Sequence, residues 1–239
     1  MSFFMMYKKD YLPEYETQQK FLVAVDCIVF GFDLKQLKLL LFKRKIEPLR
    51  GKWSLIGALI KENISLNEAA KKVLQATTGL SDIYLDELKT YSEVDRDPGE
   101  RVISTTFFSL MRINELLEES VERYDAHWFN LDDIPELILD HRKMVDDAIV
   151  NLRTKARYQP IGFELIPKKF TIPQIQLFYE CIYQKKLDDR NFRKKIMSLN
   201  ILARTNEKDK SGSKKGAFLY KFNEIKYNEL KDKGFNFEF

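Results

Sequence analysis

Five polar side chains crowd into six consecutive positions of this 239-residue chain: Arg190, Asn191, Arg193, Lys194 and Lys195. Arginine and asparagine suit the edges of guanine and adenine in a DNA major groove, and lysine suits phosphate. Lys208, Lys210, Lys214 and Lys215 follow in a polar stretch and extend the phosphate-binding chemistry. A second, scattered set suits a small polar ligand. Asp26 interrupts an apolar run, Lys43 and Arg44 close another, Trp53 offers an aromatic face, and Asp95 and Arg101 flank a Pro98-Gly99 turn. Such groups hold ligands in clefts and on loops. Each also has a plainer role open to it. A buried carboxylate is costly unless paired, so for Asp26 a structural ion pair stands beside a ligand contact. Trp53 can belong to the core, and Arg101 can pair with Glu100 or Asp97. Lys43 and Arg44 point to opposite faces of a strand, so at most one of them lines a cavity.

Charge divides the chain. Residues 184–239 carry 15 Lys+Arg and 8 Asp+Glu, a balance of +7, while the remainder carries 25 and 28, a balance of −3. A basic C-terminal part on a near-neutral body points to a polyanionic partner, with a merely solvated basic surface as the alternative. Hydrophobic residues make up 44% and charged residues 32%, which suits a globular protein. No apolar run is long enough to span a bilayer, and the start, MSFFMMYKKDYLPEYE, turns charged too soon for a signal peptide. Cys27 and Cys181 stand far apart in apolar surroundings and read as buried thiols of a reducing cytoplasm. With His127 and His141 as the only histidines, no metal site of the cysteine–histidine kind and no cofactor is expected.

The elements that must position these residues follow from periodicity. Residues 21–32 and 37–45 read as two buried strands, joined tightly through 33–36, and 53–60 reads as a third. Ser65, with Glu68 three residues on, opens a helix that Gly79 stops. Residues 82–94 and 101–113 form a strand pair around the turn at 96–99; 125–131 is another strand, and a helix follows from about Asp140 to Tyr158. Residues 158–167 read as a linker. Beyond it, Thr171 and Gln174 form a second capping box, with Pro173 in the first turn. Asp188 caps a basic helix whose Phe192, Ile196 and Leu199 face inward. Strands at 201–204 and 217–222 enclose the polar stretch TNEKDKSGSKKG. Helix, turn, basic helix and basic hairpin is the order of a winged helix-turn-helix.

Residues 53–80 also carry a resemblance. The frame of strand, turn, helix and closing Gly79-Leu80 resembles the Nudix box, in which helix glutamates hold divalent metal for pyrophosphate hydrolysis. Aligned on Gly79, the box glycine falls on Ala58, the first glutamate on Ile64, the arginine on Lys72, and the three helix glutamates on Val73, Ala76 and Thr77. Glu62 and Glu68 lie nearby, but as a loop charge and a cap. The flanks KRK…RGKWSLIG (43–57), RDPGERVIS (96–104) and HWFNLDDIPELILDHRKMVDDAI (127–149), joined to the basic helix, resemble the Nudix-related transcriptional regulators.

That resemblance implies an α+β chain: a Nudix-like α/β/α sandwich with a mixed sheet over 1–157, and a winged helix over 168–239. It implies a homodimer on a palindromic double-stranded operator, released or engaged by a small effector held by Asp26, Lys43, Trp53, Asp95 and Arg101. It implies a repressor without enzyme activity. The eroded box looks more like the L-arabinose-responsive branch, with ADP-ribose as the alternative effector and a divergent hydrolase as the alternative class. His141 resembles a kept family position with a structural role.

Overall fold

The computed structural model describes Tyr15 and residues 17–159, 161–211 and 215–233. Apart from Tyr15, the N-terminal segment read for targeting lies outside the described residues, as does Lys214.

The first domain is built on one strand. β1 (Leu22–Phe32) pairs in parallel with β6 (Val102–Arg112) along its whole length. Its other edge is shared. Ala24–Cys27 face β4 (Ile56–Leu59), and Phe30–Phe32 face β2 (Leu37–Lys43), both antiparallel. β3 (Trp53–Ser54) and β7 (Ala126–Asn130) pair with β2, and β5 (Asp86–Tyr91) closes the far edge on β6. The sheet is therefore mixed and forked. The single strand expected over 53–60 breaks in two because its halves answer to different partners, β2 and β1.

Alternation along β1 assigns its faces. Val25, Cys27 and Val29 pack against α1 (Leu66–Thr78), which buries Ala69, Ala70 and Leu74. The expected caps are present: Ser65 Oγ accepts from the Glu68 N–H, and Gly79 ends the helix at φ 74°. Ile28, Phe30 and Phe32 face the other way, toward α3 (His141–Tyr158). A short helix that periodicity did not foresee, α2 (Glu115–Glu122), contributes buried Val121 beneath α1.

The second domain holds α4 (Ile172–Tyr183), α5 (Asp189–Ser198), the hairpin β8 (Leu202–Asp209) and β9 (Ala217–Phe222), and a final helix α6 (Glu224–Lys233), also unforeseen. Phe170 bridges to Tyr220 through two backbone hydrogen bonds of 3.0 and 2.8 Å, adding a third short strand. With α4, α5 and the hairpin this makes a winged helix. Both predicted caps are made: Thr171 and Gln174 form the capping box of α4, and Asp188 accepts from the Asn191 N–H.

Residues 161–167, read from sequence as part of a linker, are packed instead. Phe163, Leu165 and Ile166 are buried, and Phe163 stacks on Phe222 at 4.1 Å. The two domains share one apolar core, in which Phe178 of α4 meets Phe32 of β1 edge to face at 5.1 Å. Removing a fully buried ring leaves a cavity that costs about 3–5 kcal/mol. Phe178→Ala should lower unfolding stability by that amount in a urea titration; an unchanged midpoint would mean the domains do not share this core.

Candidate functional site

Among the described residues, no helix lies over the first half of β1 on its α3-facing side. There Leu22, Ala24 and Asp26 floor a cavity of about 340 Å³. Phe42 and Arg44 at and just past the end of β2, Gly57 to Leu59 on β4, and Arg96, Asp97, Gly99 and Glu100 on the loop before β6 form its walls. Leu139 and His141, at the start of α3, close its inner end.

Four charged or titratable side chains meet at that end. Asp26 is 6% exposed, Arg96 8% and His141 3%. Ser104 donates its hydroxyl to Asp26 Oδ2 at 2.5 Å. Arg96 holds Asp140 with a two-pronged pair, Nε to Oδ2 at 3.0 Å and Nη2 to Oδ1 at 2.8 Å, and lies 3.9 Å from Asp26. His141 Nδ1 accepts from the Leu55 N–H at 3.1 Å, so its Nε2 bears the hydrogen in the neutral ring and faces Asp26 Oδ1 at 3.6 Å. Burial, with Arg96 and Arg44 nearby, holds the His141 imidazole below its ordinary value despite Asp26 and Asp140. Gly57 is required where it stands. A Cβ there would lie 2.2 Å from Asp26 Oδ1.

Of the ligand-binding residues expected from sequence, Asp26 lies on the cavity floor. The structure places the other four outside it. Strand alternation turns Arg44 inward and Lys43 outward, where Lys43 lies over Trp53 at 5.1 Å from the ring centroid. Trp53 packs edge-on against His127 and Phe129, at 5.6 and 4.8 Å. Asp95 is exposed; the turn at 93–96 swings its neighbour Arg96 inward instead. Arg101 donates to the Glu93 carbonyl at 2.7 Å and rests on the Phe21 ring, stapling the loop from outside. Sequence reasoning missed Arg96 and Asp140. The signal for them was two loop-borne charges beside a turn, which fixes no facing direction.

The helix of the Nudix-like frame offers no carboxylate at the key positions. Val73 and Thr77 are half-buried on α1 and Ala76 is exposed. Glu68 is spent on Lys72, one turn away at 2.7 Å. Hard divalent cations need clustered oxygen donors to activate water. Among the described residues no group of three or more His, Cys, Asp or Glu side chains stands ready for a metal. The donor set does not fit a Nudix metal centre.

The second candidate surface is α5 with the hairpin. Phe192 and Ile196 point inward; Arg190, Asn191, Arg193 and Lys194 are exposed, and Lys195 is half-buried. Arg193 also donates to the Tyr220 hydroxyl at 3.4 Å, which ties the helix to β9. Lys208, Lys210 and Lys215 are exposed on the hairpin, with Lys208 and Arg204 both lying over the Phe218 ring.

Comparisons with known proteins bear on both surfaces. The NUDIX domain model matches residues 20–148, and the NrtR DNA-binding winged helix domain model matches residues 162–222. NtrR of Acinetobacter baylyi, an ADPR responsive transcriptional repressor, is 27% identical over 220 residues, covering 90% of this chain and 85% of that protein. An ADP-ribose pyrophosphatase of Methanocaldococcus jannaschii is 34% identical over 140 residues, covering 59% of this chain and 80% of the enzyme. Shewanella oneidensis NrtR complexed with a 27mer DNA matches with a TM-score of 0.72 at 25% identity, over 86% of this chain and 95% of that one. The NUDIX domain of that protein complexed with ADP ribose matches at 0.53 and 27% identity, over 61% of this chain and 98% of that domain.

A Nudix domain joined to a DNA-binding winged helix defines the class, a DNA-binding transcriptional regulator. The chain belongs to the Nudix family and carries the winged helix of the NrtR type. Among the described residues no helix is long and apolar enough to cross a membrane.

One consequence of the cavity's chemistry is a pH dependence. The fold holds the His141 imidazole below its ordinary value of 6.5, near which it protonates in the unfolded chain. Below that pH the unfolded state binds more protons, so the His141 contribution is full above about 6.5 and is lost as the pH falls. Urea midpoints should drop between about pH 7.5 and about pH 5, and His141→Asn should shrink the drop. An equal drop in the variant would place the acid sensitivity elsewhere.

Proposed function

We propose that this chain is an ADP-ribose-responsive repressor whose Nudix domain binds its effector without hydrolysing it. The carrying observation is the cavity itself: a preserved Nudix pocket floored by Asp26 and walled by Arg44 and Arg96, beside a helix lacking the box glutamates. Two guanidinium groups suit a pyrophosphate, and the carboxylate suits ribose hydroxyls. The named relatives support the same ligand, one as an ADPR responsive repressor and one as an ADP-ribose pyrophosphatase. L-arabinose, the effector expected from the eroded box, finds no support among them. A pentose would also fill only a fraction of about 340 Å³.

The winged helix would read DNA through Arg190, Asn191, Arg193, Lys194 and Lys195, with Lys208, Lys210, Lys214 and Lys215 on phosphates. A homodimer would present two such helices to a palindrome. A divergent hydrolase remains the second reading, favoured by the 34% identity to the pyrophosphatase.

The test is selection from a random duplex library, then titration of the winner with salt, ADP-ribose and L-arabinose. Enrichment of a palindrome whose affinity falls steeply with salt and shifts with ADP-ribose is expected. A palindrome that answers to L-arabinose would restore the sugar reading. Magnesium-dependent breakdown of ADP-ribose without enrichment of any duplex would replace the regulator with the hydrolase.

A further inference from the structure

The residue that opens α3 is an unused cap. Asp140 occupies the N-cap position, where an aspartate ordinarily accepts hydrogen bonds from the first free N–H groups of its helix. It makes no such bond here. Both its oxygens are taken by Arg96, reaching in from the cavity wall. The helix it opens is 18 residues long, and its other half grips the DNA-binding domain. Arg153 donates Nε to the Ile182 carbonyl at 3.0 Å and Nη2 to the Gln184 side chain. These residues end α4 and begin the turn into α5; Gln184 is itself the left-handed C-cap, at φ 49°. Thirteen positions of helix separate Asp140 from Arg153, roughly 20 Å of rigid rod. Along it Met144, Val145, Ala148, Ile149 and Leu152 are buried in the core that both domains share.

Resting on the effector reading above, we infer that Arg96 reads the effector's phosphate and that its change of partner is the signal. An anionic phosphate entering beside Arg44 competes with Asp140 for the Arg96 guanidinium, which binds phosphate in the same two-pronged way. Asp140, released, turns to cap the free N–H groups of α3. The carboxylate thus has two satisfied arrangements, one latched to Arg96 and one capping the helix, and a ligand selects between them. Each arrangement sets the seating of α3's first turn, and Arg153 carries that seating to the α4–α5 turn. Arg153 and Asp140 are positioning residues for the DNA-reading helix; neither touches DNA.

The arrangement predicts energetic coupling between two side chains that do not touch, readable without any effector. The experiment is a double-mutant cycle on the full chain, measuring affinity for the selected operator. Asp140→Asn keeps a good capping side chain but breaks the ion pair. It should change operator affinity by a factor within about 5–150, the usual span of allosteric couplings. In the Arg153→Ala background the same substitution should have no effect. Arg96→Lys, which keeps the charge but loses the fork, should reproduce the Asp140→Asn result and guards against a change peculiar to Asn. Thermal melts of all variants establish that each is folded at the assay temperature.

Wild-type chain titrated with ADP-ribose supplies the second arm. A response present in wild type and absent in Asp140→Asn supports the exchange. A non-additive cycle beside a wild type indifferent to ADP-ribose keeps the latch and removes ADP-ribose as its ligand. Strict additivity of Asp140→Asn and Arg153→Ala, or an unchanged operator affinity in both Asp140→Asn and Arg96→Lys, overturns the inference whatever the ligand.

Discussion

The fold turns on one buried cation. Arg96 is almost wholly removed from water, and such a charge is tolerated only when paired and hydrogen-bonded. Asp140 supplies the pair and Asp26 a second carboxylate at 3.9 Å. Those two acids come from the start of α3 and the middle of β1, so satisfying one guanidinium fixes the loop before β6, the central strand and the last helix of the domain together. Asp26 in turn relies on the Ser104 hydroxyl, on the nearby His141 ring and on a glycine at 57 that leaves it room. Removing any partner leaves a buried charge short, which is why this constellation reads as one unit.

The same strand face explains how a ligand pocket and a DNA-binding domain come to be neighbours. Leu22, Ala24 and Asp26 floor the cavity; Ile28, Phe30 and Phe32, further along the same face, join the core that holds α3 and α4. The opposite face is occupied by α1, whose buried alanines and leucine pack on β1. That helix keeps the caps and spacing of a Nudix helix while carrying Val73, Ala76 and Thr77 where the chemistry would need acids. Transition-state stabilisation depends on charges placed where charge develops, and losing one such element typically costs 100–1,000-fold or so in rate. The scaffold stands without those carboxylates because apolar burial holds α1 against β1.

Much of this was legible in the sequence because it rests on local patterns. The caps at Ser65, Thr171 and Asp188, the stop at Gly79, and the inward row of Phe192 and Ile196 are set by nearest neighbours along the chain, and all are present. Alternation at Lys43 and Arg44 was readable too, though not which of the two turned inward. Arg96 and Asp140 were not legible. They sit where no period operates, and their meeting is a product of the tertiary fold. Trp53 misled because an exposed-looking tryptophan beside a turn suits a sugar face as well as a core; the fork in the sheet sent it to His127 and Phe129. Residues 161–167 looked like a tether on account of Gly162 and Pro167, yet Phe163, Leu165 and Ile166 are buried in the core.

The proposed coupling of pocket to DNA-reading helix carries a reciprocal demand: whatever factor the effector exerts on operator affinity, the operator must exert on effector affinity. The direct measurement is the pair of affinities, operator for the chain with and without saturating ADP-ribose, and ADP-ribose for the chain with and without saturating operator. Two equal factors, well away from one, are expected, with ADP-ribose recovered intact in the presence of magnesium. Operator affinity unmoved by saturating ADP-ribose, or ADP-ribose consumed during the titration, would contradict that expectation.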